Sequence, residues 1–150
     1  MRVQIQIKGW TKGRSFVGLM AVALLWAISG SGLAQEQEVI EAGKREFQRY
    51  CATCHGIDAK GNGPSAELLV AKPADLTQLS KKHGGVFLFW RVYEEIEGSG
   101  DVIIRGHGTR EMPIWGDVFR LERSSSEEHQ AGVRGRILSL VYYLQSIQEK

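Results

Sequence analysis

The five residues Cys51-Ala52-Thr53-Cys54-His55 constrain this chain more than any other stretch. A helical pattern leads directly into Cys51, and residues at i, i+3 and i+4 share one face of a helix. The two thiols and the imidazole are therefore expected to project from the same side of one helical turn. The sequence contains no other cysteine.

This C-x-x-C-H pattern is typical of covalent attachment of a c-type haem. Two thiols on one face can form thioethers with the two vinyl groups of a porphyrin, and the histidine can bind the iron. A thioredoxin-like dithiol is expected to follow a strand in a βαβ unit. A zinc site needs further ligands, and a disulfide leaves the histidine unexplained. We therefore predict one covalent haem c on Cys51 and Cys54, with His55 as the proximal iron ligand.

Residues 1–34 have the three regions of a secretory signal peptide. A basic segment without acidic residues precedes an apolar run of 13 residues, Phe16 to Ile28, and small residues lead up to Ala34. The run is shorter than the ~20 residues of a membrane span. We predict cleavage after Ala34, export to the periplasm and a mature domain of residues 35–150. An uncleaved leader that anchors the chain in the membrane is the alternative.

The charge of the mature domain differs from that of the whole chain. The chain has 19 Lys and Arg against 17 Asp and Glu, for a net charge of +2, and four of the basic residues lie in the leader. Without them, 15 basic residues face 17 acidic ones, and the net charge becomes −2. Nucleic-acid binding requires a basic domain with clustered Lys and Arg, so no nucleic-acid partner is expected.

The rest of the pattern predicts an all-α fold. Gly43 lies inside the first helix and indicates either a close crossing by another helix or a tolerated surface glycine. We expect the last helix to bury its apolar face against the first helix or the haem. The predicted helical segments are Glu36 to Tyr50, a short turn from Ser65 to Val70, Val86 to Ile96, and about Arg134 to Gln148. In the third, an aromatic stripe of Val86, Phe89, Trp90, Tyr93 and Ile96 is predicted to face the core.

The glycine-dense loop after the motif, Gly56 to Pro64, is expected to fold under His55. Pro64 has a carbonyl but no N–H, and that carbonyl can accept a hydrogen bond from His55 Nδ1, which would orient the ring. The alternative is that Pro64 only stiffens the turn.

Met112 is the predicted second iron ligand. It is the only methionine outside the leader, and it lies in a polar loop before Pro113, an unusual place for a residue that fills a core. A thioether opposite the proximal histidine raises the reduction potential. The competing ligands are His107, His83 and His129, of which the glycine-flanked His107 is the strongest.

Three residues near Met112 are candidates for contact with the haem edge. Trp115 could pack against the edge or donate its N–H to a propionate. Arg105 and Arg110 could pair with the propionates, although an exposed arginine needs no such role.

Together these elements resemble a class I c-type cytochrome of bacterial type over the whole mature chain. The resemblance rests on the first helix with its haem motif, the Gly61–Pro64 loop, the segment Lys72-Pro73-Ala74-Asp75-Leu76, the Met112-Pro113 loop, and a last helix with paired tyrosines. It implies that the first and last helices cross, with Gly43 and Phe47 matching one side and Leu140 and Tyr143 the other. It also implies a small all-α fold wrapped around one haem.

The resemblance further implies one-electron transfer between periplasmic or membrane-bound redox partners, with no enzymatic reaction. Two other interpretations stay open. One is a haem subunit of a larger periplasmic dehydrogenase or oxidase. The other is a five-coordinate haem enzyme or gas sensor, which would require that Met112 does not bind the iron. The sequence shows no obvious ring of lysines for docking on an acidic partner.

Overall fold

The computed structural model describes residues 14–99, 112–122 and 127–149, with the side chains of 32–99, 112–122 and 130–149. Those ranges contain helices and turns and no strand, so the predicted all-α class is confirmed. The helices are α1 (Arg14–Tyr50), α2 (Ala52–His55), α3 (Phe89–Glu97), α4 (Trp115–Leu121) and α5 (Glu127–Ser146). Single 3-10 turns lie at Ala66–Leu68, Leu76–Gln78 and Lys81–His83.

The chain divides into two compact units, Met1–Gln37 and Glu38–Lys150. Helix α1 has residues in both, whereas the haem motif and helices α2 to α5 belong to the second. Within the described ranges, no helix combines the length and the apolarity that crossing a membrane requires. Cleavage after Ala34 stays a prediction.

Gly43 marks the crossing of α1 and α5. A Cβ built at Gly43 would overlap the carbonyl of Ser139 and would lie 2.9 Å from Cβ of Tyr143. Four residues along α1, the ring of Phe47 packs on that of Tyr143 with centroids 5.3 Å apart. The predicted close crossing is confirmed, because only a residue without a side chain lets the two backbones approach this far.

The largest fully buried side chains come from three helices. They are Phe47 of α1, Phe119 of α4, and Ile137, Leu140 and Val141 of α5. The predicted apolar face of α5 is therefore confirmed. This face packs against α3 and α4 as well as α1. The prediction named only the first helix and the haem as its partners, and it did not include α4.

The helix ends differ from the prediction in several places. Helix α1 begins at Arg14 rather than Glu36, because the Ala- and Leu-rich stretch before Glu36 also favours helix, and α5 ends at Ser146 rather than Gln148. Helix α3 begins at Phe89 rather than Val86, because Leu88 has non-helical dihedral angles (φ −81°, ψ 74°). Helix α5 begins at Glu127, seven residues before Arg134, in a polar stretch that carries no apolar stripe. The aromatic stripe of α3 is core only in part, since Ile96 is buried while Trp90 is 66% exposed.

Candidate functional site

The Cys51–His55 motif forms one helical turn that continues directly from α1. The N–H of Cys51 donates to the carbonyl of Phe47 at 2.9 Å, which extends the hydrogen-bond ladder of α1. The carbonyl of Cys51 then accepts from the N–H groups of Cys54 (3.1 Å) and His55 (2.9 Å). Both cysteines are free thiols and partly exposed. The geometry thus has the helical turn that the spacing predicted, with positions 51, 54 and 55 on one face.

The environment of Cys51 favours a neutral thiol. Burial, with smaller contributions from the neighbouring Glu46 and Cys54, raises the pKa of Cys51 to about 12. A thioredoxin-like dithiol depends on a thiolate with a lowered pKa. The surroundings of Cys51 have the opposite effect, so the structure disfavours that alternative.

His55 is buried, with 7% of its surface exposed. Its Nδ1 lies 3.1 Å from the carbonyl oxygen of Ala74, 19 residues further along the chain. Because a carbonyl only accepts, Nδ1 carries the proton, and in the neutral ring the lone pair is then on Nε2. This is the tautomer and the backbone partner that metal-binding histidines commonly have. The acceptor at this distance is therefore Ala74, whereas the sequence suggested Pro64.

The glycine-rich loop packs against the backbone of the motif. A Cβ on Gly63 would come within 2.6 Å of the carbonyl oxygen of Ala52 and still closer to that of Thr53, so this position requires glycine. The carbonyls at the end of the helical turn, which have no partner within a helix, are satisfied by the loop. Its N–H groups donate from Gly61 to His55 (2.7 Å), from Gly63 to Cys54 (3.0 Å) and from Ser65 to Thr53 (2.9 Å).

Met112 is partly buried and packs against the same apolar core that Cys51 contacts. It lies three residues before α4, which places it at the N-terminal end of that helix. Among its predicted competitors, His83 is exposed, with its Nδ1 2.9 Å from the carbonyl of Leu79. His107 lies outside the described residues. His129 belongs to α5, but its side chain is not among those described.

Trp115 belongs to an aromatic cluster beside the motif. Its ring lies 5.6 Å from the ring of Tyr50 and 5.6 Å from that of Phe119, and the rings of Tyr50 and Phe119 are 5.4 Å apart. Tyr50 directly precedes Cys51, so the cluster connects α4 to the start of the motif. Contact of Trp115 with a haem stays a prediction, and Arg105 and Arg110 lie outside the described residues.

A second aromatic group lies along α3 and includes one residue of α5. The ring of Phe89 lies 5.4 Å from Trp90 and 5.1 Å from Tyr142 of α5, and the ring of Trp90 lies 5.7 Å from Tyr93. Trp90, Tyr142 and Val86 are nevertheless 66%, 40% and 57% exposed. Exposed apolar side chains that lie together are typical of a surface that binds a ligand or a partner.

Comparison with known proteins places a family model on much of the chain. The family model described as "Cytochrome C oxidase, cbb3-type, subunit III" matches residues 38–124, more than half of the 150-residue chain. The matched range contains Cys51, Cys54, His55 and Met112. No curated protein and no solved structure matches the chain significantly.

Proposed function

Because the chain belongs to the family of cbb3-type cytochrome c oxidase subunit III, and is therefore a c-type cytochrome, we propose that it is a periplasmic one-electron carrier with His/Met ligation of a single haem c. Haem-based electron transfer follows from the family. The location, the ligand pair and the haem count are the parts that are proposed. The proposal depends mainly on the helical turn of the motif with its buried His55, whose Nδ1 is 3.1 Å from the Ala74 carbonyl.

The residues of the motif fit a covalent haem c. The two partly exposed thiols would form the thioethers, and Nε2 of His55 would bind the iron on one side. When bound, the haem supplies a centre that accepts one electron from a donor protein and passes it to an acceptor. The carbonyl of Ala74 holds the proton on Nδ1. This hydrogen bond fixes the orientation of the ring and makes Nε2 a stronger ligand for the iron.

Met112 would supply the second axial ligand. If Met112 and His55 both bound the iron, no position would be left for water or a substrate, and this is the chemical reason to propose a carrier rather than an enzyme. The position of Met112 against the apolar core supports this, since a low dielectric around a thioether disfavours water as a competitor.

The exposed side chains of the second aromatic group, together with the exposed Val86 just before α3, also support a haem. A porphyrin presents a large apolar face, and covering Trp90, Val86 and Tyr142 would remove their apolar surface from water. We propose that they form part of the wall of the haem crevice.

The optical spectrum of the haem-loaded protein tests the proposal. We expect low-spin bands in both oxidation states and, in the ferric protein, the weak red absorption of iron–methionine ligation. Met112→Ala should abolish that absorption, while His107→Ala and His83→Ala should preserve it. A high-spin wild-type spectrum that changes with carbon monoxide would contradict the carrier and favour a haem enzyme or gas sensor. A low-spin wild-type spectrum without the red band, together with a high-spin ferric spectrum in His107→Ala, would assign His107 as the ligand instead.

Export rests on the leader. We propose that residues 1–34 are removed, leaving Gln35 first in a periplasmic protein whose partners are other redox proteins. The intact mass of the purified chain distinguishes a cleaved leader from a retained one, and a membrane location is expected only if the leader is retained.

A second candidate is a haem subunit of a larger oxidase. The description of the family, which names a subunit of a cbb3-type oxidase, favours it. The size of the native assembly decides: a free carrier should elute at the mass of the single mature chain, and a subunit should co-purify with membrane proteins.

A further inference from the structure

The two residues Gln148 and Glu149, which follow α5, bind the backbone that comes after Ala74. We call them the Gln148–Glu149 clamp. The carboxamide Nε2 of Gln148 donates to the carbonyl of Leu76 at 2.8 Å and to that of Leu144 at 2.7 Å. Its Oε1 accepts from the N–H of Ser80 at 2.8 Å. One partly buried side chain therefore connects the end of α5 to both ends of the segment 76–80.

The second residue of the clamp adds contacts to the same segment. The N–H of Glu149 donates to the carbonyl of Thr77 at 2.9 Å. Its carboxylate accepts from Nε2 of Gln78 and from Nζ of Lys60, the latter at 3.0 Å. These side-chain contacts are exposed and contribute little energy. The carboxamide of Gln148, by contrast, is partly buried, and both its N–H donor and its oxygen acceptor form hydrogen bonds.

The clamped segment begins two residues after Ala74, whose carbonyl lies against Nδ1 of His55. The N–H of Leu76, two residues on, donates to the carbonyl of Ala59 at 2.8 Å. Between them, the carboxylate of Asp75 accepts from the N–H and the hydroxyl of Thr77, at 2.9 and 2.6 Å. With Leu76 held on both its N–H and its carbonyl, the preceding peptide units have little freedom to move.

We propose that Gln148 is a positioning residue for the proximal imidazole: its carboxamide holds the segment 76–80, and through it the Ala74 carbonyl that accepts from His55 Nδ1. The inference rests on the proposed function, in which Nε2 of His55 binds the haem iron. A hydrogen-bond acceptor placed well at Nδ1 increases the electron donation from Nε2 to the iron and so favours ferric over ferrous iron. A displaced acceptor removes part of that preference.

The test compares substitutions in the haem-loaded protein. Gln148→Leu keeps approximately the size of the side chain and its neutrality but removes all three hydrogen bonds, and Gln148→Ala repeats the loss without the bulk. The matched control is Gln145→Leu, the same change at an exposed residue in the last turn of α5. Ile137→Val is a second control, because Ile137 is fully buried in the core and its truncation lowers stability.

Two quantities are measured. The first is the midpoint reduction potential, which we expect to rise in Gln148→Leu. The ratio of ferric to ferrous protein at a given potential should fall about threefold, which corresponds to roughly 28 mV at 59 mV per tenfold for one electron. The second is the solvent exchange of the His55 Nδ1 proton, followed by NMR in the ferric protein, which we expect to become faster. Both controls should leave both quantities unchanged.

Any other result overturns the inference. An unchanged potential and exchange rate in Gln148→Leu show that the carboxamide does not position the ring. The same shift in Ile137→Val shows that the potential follows general stability. If the wild-type protein lacks a covalent haem bound through His55, the proposed function fails and the role of Gln148 falls with it. If the wild-type spectrum has the expected low-spin and red bands but the Gln148 variants change neither the potential nor the exchange rate, only the role of Gln148 is overturned.

Discussion

At the scale of single residues, Gly43 leaves no room for a side chain at the α1–α5 crossing. The atom that a new Cβ would meet is the backbone carbonyl of Ser139, which cannot move without moving α5. We expect Gly43→Ala to lower the free energy of unfolding by on the order of 1–3 kcal/mol through overpacking. This loss should exceed the ~1 kcal/mol that alanine gains over glycine inside a helix. Urea unfolding followed by circular dichroism measures it.

The matched control is Gly135→Ala. Gly135 lies in α5, and a Cβ added there would meet no neighbouring atom within 4 Å, so only the helix preference of alanine should act. We expect no loss, and a gain of up to about 1 kcal/mol. Equal effects at the two positions would mean that the crossing is looser than the structure has it.

The sequence predicted the residue types of the site better than their partners. Cys51, Cys54 and His55 are recognised from their spacing, because a fixed helical period relates spacing to a shared face. The acceptor for His55 could not be found in this way. It is a backbone carbonyl 19 residues away, and any residue at position 74 has one. Only the path of the chain, held by contacts with residues after α5, determines which carbonyl reaches Nδ1.

At the scale of elements, Arg136 holds α4 against α1 and α5. Its guanidinium lies 3.8 Å from the centroid of the Phe119 ring. It also donates to Glu46 of α1 and to Glu122 at the end of α4, each at a shortest distance of 2.8 Å. The hydroxyl of Tyr50 donates to Glu122 at 3.1 Å. A planar cation with several donors can stack and bridge at once, which a lysine cannot do.

We therefore expect Arg136→Lys to destabilise the protein by about 1–2 kcal/mol, as stacking and one bridge are lost. The loss should be local first. Amide hydrogen exchange in α4 (Trp115–Leu121) should accelerate more than exchange in α3, because Arg136 contacts α4 directly. Arg134→Lys, at an exposed position of the same helix, is the control and should leave exchange in α4 as it is. Uniform acceleration in all helices would contradict a local role.

Helix α4 also shows where sequence reasoning missed an element. The helix has seven residues, and its second residue, Gly116, is buried against the carbonyl of Glu97, so helix propensity alone does not indicate it. A signal was present in the spacing of Trp115, Val118 and Phe119, at i, i+3 and i+4. The longer helices were predicted because their apolar period repeats several times. Their ends were not, because caps and polar turns decide them.

At the scale of the whole molecule, four carboxylates in the part of the chain that the structure describes have a lower pKa in the folded protein than a free carboxyl has. Hydrogen bonds from Thr77 lower the pKa of Asp75, and one from Arg136 lowers that of Glu122. A bond from Lys60 does the same for Glu149. The pKa of Glu97 is lowered by hydrogen bonds from Ser99 and Arg120. All four contributions to stability therefore depend on the carboxylate form.

The sign of the pH dependence follows from these directions. A carboxyl with a lowered folded pKa binds protons more readily when unfolded, so protonation favours the unfolded chain. The stability contributed is complete above the ordinary carboxyl pKa of about 4, and it is lost as pH falls through the lowered folded values. We expect the free energy of unfolding to decrease as pH falls from about 5 to about 2, and Glu122→Gln to show a shallower decrease with one titrating group fewer.

Urea unfolding at a series of pH values measures this slope in the haem-loaded protein. The control is Leu121→Ala, at a side chain that neighbours Glu122 and is 86% exposed. It removes no titrating group and should keep the wild-type slope. Arg136→Gln should flatten the slope as Glu122→Gln does, because Glu122 then loses the first cause of its lowered pKa. If Glu122→Gln and Arg136→Gln both retained the wild-type slope, the bridge from α4 to α5 would not be coupled to folding.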